Sequence, residues 1–350
     1  MDMVMSKLET IGNTKIGSHT ISQHSWLFMA ILGLMMGVTS LSTDVYLPAM
    51  PAMARDLQGN SELTVTGFLI GFAIAQLVWG AVSDKYGRKI PLLLGPVLFV
   101  IGSVGCAMST SMTEMVAWRV FQAFGACVAP MLSRAMIRDL FDRTEAASML
   151  STLTMIMAVV PILGPLVGGQ IMVISSWHGI FWFMVALGVL LMVSVVFLPE
   201  THAAEKRATG SLMNTYKNYW ILLKNTSFMK YTLCVTFFYV AAYAFITGSP
   251  HVYIDLYNVD PTNYRYLFGL NIVGVMVVSA INRRMVKAFE LETILKMATL
   301  VAMSAAIIAV PLVWFNIGGM MTIVFGVLVF FSSNGIIRYH RSRNKCDCLR

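Results

Sequence analysis

The stretch "VWGAVSDKYGRKIPLLLGP", Val78 to Pro96, sets Asp84, Lys85, Tyr86, Arg88 and Lys89 between two long apolar runs. The chain returns at once to "PLLLGPVLFVIG", so the charges occupy a very short turn. The surroundings explain this pattern. Of 350 residues, 57% are hydrophobic and 12% are charged, against about 25% charged in a soluble domain. The mean hydropathy is +0.72. Such a chain requires lipid as its solvent. The net charge of +8 lies in short linkers between apolar runs, which is the positive-inside pattern and gives no reason to expect nucleic acid as a partner.

Crossing roughly 30 Å of hydrocarbon takes about 20 helical residues. Working outward from the opening stretch, ten runs qualify: 26–48, 63–82, 90–109, 114–136, 148–174, 179–198, 231–254, 266–282, 293–314 and 317–337. Lipid offers no partner to unpaired backbone groups, so all ten are expected to be helical. With residues 1–25 as a cytoplasmic tail, the inner linkers are 83–89, 137–147, 199–230 and 283–292, followed by a basic tail at 338–350. Only Arg55 and Arg265 then fall outside, and Arg119 falls within a span; the other 22 of the 25 lysines and arginines are cytoplasmic or at that edge. The first run lacks a small-residue cleavage site and is read as an uncleaved span.

The linker 199–230 divides a bundle at 26–198 from a second at 231–337. "SAINRRMVKAFE" holds the place in the second half that "GAVSDKYGRKIP" holds in the first, a weak internal repeat without the aspartate or the turn glycine. Cys106, Cys127 and Cys234 lie in apolar runs as small hydrophobes. Cys346 and Cys348 lack zinc-like spacing, so no metal is expected.

A charge in hydrocarbon costs several kcal/mol, so ionisable residues within spans are functional candidates. Asp44, in "SLSTDVYLPAMP", and Arg119, in "MVAWRVFQAFGACVAP", both fall in the outer half of the bilayer, at depths that allow an ion pair. Gln122 shares a helical face with Arg119. Asp44 is read as a proton site set by the arginine and by desolvation. Its alternative is a headgroup position ahead of Pro48 and Pro51, and that of Arg119 is a snorkelling structural arginine. In the fifth run, "AVVPILGPLVGGQI", Pro161, Gly164, Pro165, Gly168 and Gly169 predict a bent, closely packed helix.

Four of these pieces resemble one family. "GAVSDKYGRK", with Gly80, Asp84, Gly87, Arg88 and Lys89, is similar to the loop signature of the major facilitator superfamily. Arg119 with Gln122 and Gly125 resembles its fourth-span pattern, and "GPLVGG" the fifth-span signature of drug:proton antiporters. "TDVYLPAMP", "WHGIFWFMVALG" and "LPET" narrow the resemblance to the Bcr/CflA branch of multidrug efflux proteins. The resemblance implies an all-α integral membrane protein with a major facilitator fold. About ten of the usual twelve transmembrane helices are expected, as six plus four. It also implies that Asp84 and Arg88 latch the cytoplasmic side of the outward-open state, with a purely topogenic role for the loop cations as the alternative. Asp84 would face the start of an eleventh span.

Where that span is expected, the sequence reads "RYHRSRNKCDCLR", taken as a shifted reading frame, a truncated product or a short native variant. The implied activity is export of small amphipathic drugs across the bacterial inner membrane by alternating access. Protons drive it, no cofactor is needed, and the chain acts as a monomer with its N-terminus cytoplasmic. Tyr46, Gln122, Tyr239, Tyr243 and Asn271 are candidate cavity residues, with lipid contact as the alternative for the tyrosines of the seventh run. The rival functions are a proton-coupled metabolite importer and a non-transporting remnant. An enzyme is not expected, because the six histidines are scattered and no phosphate loop or nucleophile–base pair is present.

Overall fold

The computed structural model describes residues 26–203, 205, 207, 219–288, 291–315 and 317–333. The tail 1–25, linker residues 208–218 and the segment 334–350 with Cys346 and Cys348 lie outside the described residues. So do the side chains of Pro161, Cys234, Arg265, Arg283, Arg284 and Lys287.

Among the described residues the fold is helical throughout, as runs of apolar residues in lipid must be. The first rod is α1 (Trp26–Asp44), a 3-10 turn at Leu47–Ala49 and the short α2 (Met50–Asp56). Then come α3 (Glu62–Tyr86), α4 (Lys89–Met108), and a fourth rod made of α5 (Met112–Ala126) and α6 (Val128–Leu140). The fifth and sixth rods are α7 (Arg143–Ile174) and α8 (Trp177–Val196). A second group follows: α9 (Thr226–Pro250) running into a π-helical turn at His251–Leu256, α10 (Pro261–Ala288), α11 (Leu291–Trp314) and α12 (Gly319–Ser332).

These make ten successive rods among the described residues, one over each run read from the sequence. Seven are long and apolar enough to cross a membrane. In the other three, α7, α10 and α12, the apolar segments among the described residues are shorter, Ser148–Met157 and Leu163–Ile174 in α7, Gly269–Val278 in α10 and Gly319–Ser332 in α12. Several bounds differ from expectation: the fifth rod starts at Arg143 rather than 148, the seventh at Thr226 rather than 231, and the eighth spans Pro261–Ala288 rather than 266–282. The fourth is also interrupted at Cys127.

The chain divides into two compact units, Met1–Thr226 and Ser227–Arg350. In the first, α4 packs on α5 and α8, α3 on α5, and α1 on α7. Local signals fix the ends. At the start of α5, Ser111 Oγ accepts from the Glu114 N–H, and Glu114 Oε2 accepts from the Thr110 N–H at 3.0 Å, a reciprocal cap. At the same end of the bundle, the buried Trp177 donates its indole N–H to Asp56 at 2.8 Å, tying α2 to α8. In the second unit, Phe238, Ala242 and Ala298 form a core, with Tyr239, Phe330 and Phe331 packed on it.

Candidate functional site

Two polar clusters stand out in the first unit, each built around an arginine. One lies where α1 breaks. Pro48 and Pro51 supply no N–H, so α1 gives way after Asp44 to a turn that brings Tyr46 inward. The fully buried Arg119, on α5, donates from Nη2 to the Ser42 carbonyl at 2.9 Å and from Nη1 to Gln122 Oε1 at 2.5 Å. Its guanidinium carbon lies 4.4 Å from the ring centres of both Tyr46 and Phe68, with Phe181 at 5.9 Å. Gln122 is held in turn, since its Nε2 donates to Ser103 Oγ at 2.6 Å. Thr64 donates to the Tyr46 hydroxyl at 3.3 Å. Arg119 Nε is buried and makes no hydrogen bond.

The ion pair allowed by depth is not formed. Asp44 is buried and, among the described residues, its carboxylate takes only the Thr43 hydroxyl, at 3.1 Å. It faces α7, where a Cβ on Gly164 would stand 2.7 Å from the Asp44 Cβ. One turn on, a Cβ on Gly168 would meet the Val45 carbonyl oxygen, so only glycine lets α7 reach the break in α1. Pro165 and Gly169 are buried beside them. The Asp44 carboxylate and the Arg119 guanidinium thus both meet the same turn of α1, with no salt bridge between them. The arginine is compensated by neutral oxygens and aromatic faces, which stabilise a desolvated cation by about 2 kcal/mol or more.

The second cluster is the loop that opened the sequence. Gly87 turns the chain with φ of +91°, and a Cβ there would lie 2.5 Å from Glu200 Oε2. Arg88 Nη1 contacts Asp84 at 2.7 Å and Ser83 Oγ at 2.8 Å, while its Nε contacts Asp139, on α6, at 3.0 Å. Burial works against the Arg88 charge, but the hydrogen bonds and charges of Asp139 and Asp84 outweigh it and hold the guanidinium pKa above its ordinary value. Glu200 accepts from the Arg88 and Lys89 backbone N–H groups, each at 3.0 Å, at the positive end of α4. Lys89 Nζ donates to the carbonyls of Val195, Val196 and Leu198 at the end of α8. His202 Nδ1 lies 3.8 Å from Asp139. Gly80 lies one turn before Asp84, with the Tyr219 hydroxyl beside it.

Of the candidate cavity residues, Tyr46 and Gln122 meet at Arg119. Tyr239, Tyr243 and Asn271 belong to the second unit. There Tyr239 packs edge-on to Phe238, and the buried Asn271 donates to the Leu267 carbonyl at 3.2 Å while its own Oδ1 is unpaired. Sequence reasoning missed Ser42, Phe68, Ser103 and Phe181 around Arg119, and Asp139, Glu200 and His202 around Arg88. For Asp139 a signal existed, an acid directly beside Arg138 in the short linker 137–147. The aromatic residues carry none, because Phe68 and Phe181 read like any other lipid-facing ring.

Comparison with known proteins fits this architecture. The profile of the Major Facilitator Superfamily matches residues 31–340. The MFS-type transporter YdgK of Bacillus subtilis is 34% identical over 313 residues, 88% of this chain and 78% of the relative. A bicyclomycin resistance protein homolog of Haemophilus influenzae is 30% identical over 317 residues, covering 89% of this chain and 79% of its own. The multidrug resistance protein MdtL of Escherichia coli is 30% identical over 240 residues, 67% of this chain and 60% of MdtL. Among solved structures, the partially occluded inward-open form of the Escherichia coli xylose transporter XylE superposes with a TM-score of 0.68 at 14% identity. That match covers 91% of this chain and 86% of the other and speaks to the fold alone. The chain belongs to the Major Facilitator Superfamily and is a multi-pass membrane transporter.

Proposed function

We propose that this transporter exports small amphipathic drugs in exchange for protons, with Asp44 as the group that takes up and releases the proton. The observation that carries this reading is the placement of Asp44. It is a buried carboxylate on a broken helix, pressed against the glycines of α7, while an arginine without a carboxylate partner among the described residues holds the Ser42 carbonyl of the same turn. A carboxylate so placed has two uses. Protonated, it rests against α7 at little cost; ionised, it gains by turning toward Arg119. Cargo that binds the form with Asp44 ionised drives the proton off, the reciprocal linkage that exchange requires. The relatives named for bicyclomycin and multidrug resistance support a drug as that cargo.

The energetics are adequate with one proton. A hundredfold gradient of a neutral drug requires about 2.7 kcal/mol, and one charge crossing 100 mV supplies about 2.3 kcal/mol before any pH gradient is added. No cofactor is required. The chain works by alternating access as a monomer in the bacterial inner membrane, with its N-terminus cytoplasmic as the distribution of basic residues indicates. The Arg88 cluster is the cytoplasmic latch.

The test is resistance. Expression in a drug-sensitive bacterial strain is expected to raise the inhibitory concentration of bicyclomycin or chloramphenicol, and Asp44→Asn to abolish the gain at equal membrane abundance. Undiminished resistance with Asp44→Asn would remove Asp44 from the mechanism.

A further inference from the structure

The rod formed by α5 and α6 carries a member of each cluster, Arg119 near one end and Asp139 at the other, about 30 Å apart at 1.5 Å per residue. Its interruption at Cys127 has a definite cause. Pro130 has no N–H, so the Ala126 carbonyl loses the donor that a continuous helix would give it. That carbonyl is taken instead by the Thr39 hydroxyl of α1, at 2.9 Å. Two residues earlier, the Phe124 carbonyl accepts the Trp79 indole N–H of α3, also at 2.9 Å. Thr39 lies five residues before Asp44 on α1, and Trp79 five residues before Asp84 on α3. The helices bearing the two clusters' carboxylates therefore each hold one carbonyl of the same interrupted rod.

From this we infer that the junction at Cys127 is a hinge that relays the state of Asp44 and Arg119 to the Asp84–Arg88–Asp139 latch, with Thr39 and Trp79 as its positioning residues. This rests on the transport reading but is tested apart from it. A proline-interrupted helix bends where its ladder is broken, and donors from neighbouring helices determine where its two halves point. A displacement of α1 when Asp44 changes partner moves Thr39, and with it the Ala126 carbonyl. The α6 segment beyond the junction then swings Asp139 relative to Arg88. Coupling of this kind requires an element with two arrangements that both sites bias, and a rod whose orphaned carbonyl at the break is held by a side-chain donor from another helix supplies one.

The experiment is hydrogen–deuterium exchange on the purified full chain in lipid nanodiscs, read at the backbone amides from Ser133 to Phe141. Asp44→Asn, which fixes the neutral form, is expected to change exchange there severalfold. In a Thr39→Val background, which keeps the shape and loses the donor, that response should vanish, and Thr39→Ser should restore it. Trp79→Phe should blunt the same response from the α3 side, which covers the case of an unstable Thr39→Val. A response to Asp44→Asn that is absent, or equal with and without both donors, overturns the hinge. A chain that shows the coupled exchange but confers no resistance to bicyclomycin or chloramphenicol keeps the hinge and loses the cargo assignment.

Discussion

Arg88 and Arg119 are both buried arginines in the same unit, yet they are neutralised in opposite ways. Arg88 has two carboxylates, Asp84 and Asp139, within 3.0 Å. Arg119 has none among the described residues, and is held by a backbone carbonyl, a glutamine and three aromatic rings. The first arrangement is complete, and any movement breaks an ion pair. The second leaves an unspent attraction beside Asp44. A latch is built like the first, and a group that must change partners like the second.

Substitution by methionine, similar in length and uncharged, should separate the two with opposite signs. Arg88→Met strands Asp139 without its guanidinium and is expected to lower stability by about 2 kcal/mol, below the full cost of breaking a buried pair because Asp84 is half exposed. Adding Asp139→Asn should recover part of that loss. Thermal unfolding in detergent measures both. Arg119→Met removes a buried charge that has no carboxylate partner and should raise stability by about 1 kcal/mol while abolishing resistance. A drop like that of Arg88→Met would mean that Arg119 is already paired.

Smaller effects sharpen the contrast. Glu200→Gln keeps the shape of the cap on α4 but loses its charge, and is expected to cost about 1 kcal/mol by the same assay. Ser103→Ala removes a partner of Gln122 one step from Arg119, and should cost about 0.5–1 kcal/mol with resistance reduced rather than lost.

Much of this was legible beforehand, for reasons of length. An apolar run long enough to cross a bilayer must be a helix, and ten runs gave ten rods. The loop signature was legible because Gly87 and Arg88 do their work within one turn. The Asp44–Arg119 relation was not, because counting residues along a span gives depth but not azimuth. In the fold Asp44 faces α7, and Arg119 takes the backbone carbonyl of Ser42 instead. The interruption of the fourth rod was also hidden. Pro130 was visible, but whether its orphaned carbonyl finds a donor depends on Thr39, 87 residues away and on another helix.

The central claim is that Asp44 gives up a proton as cargo binds. It is tested most directly by adding bicyclomycin to the purified full chain in unbuffered detergent solution and following pH with an indicator dye. The account predicts a proton release that saturates with drug in the wild type and is absent in Asp44→Asn. Release of equal size from Asp44→Asn would contradict it.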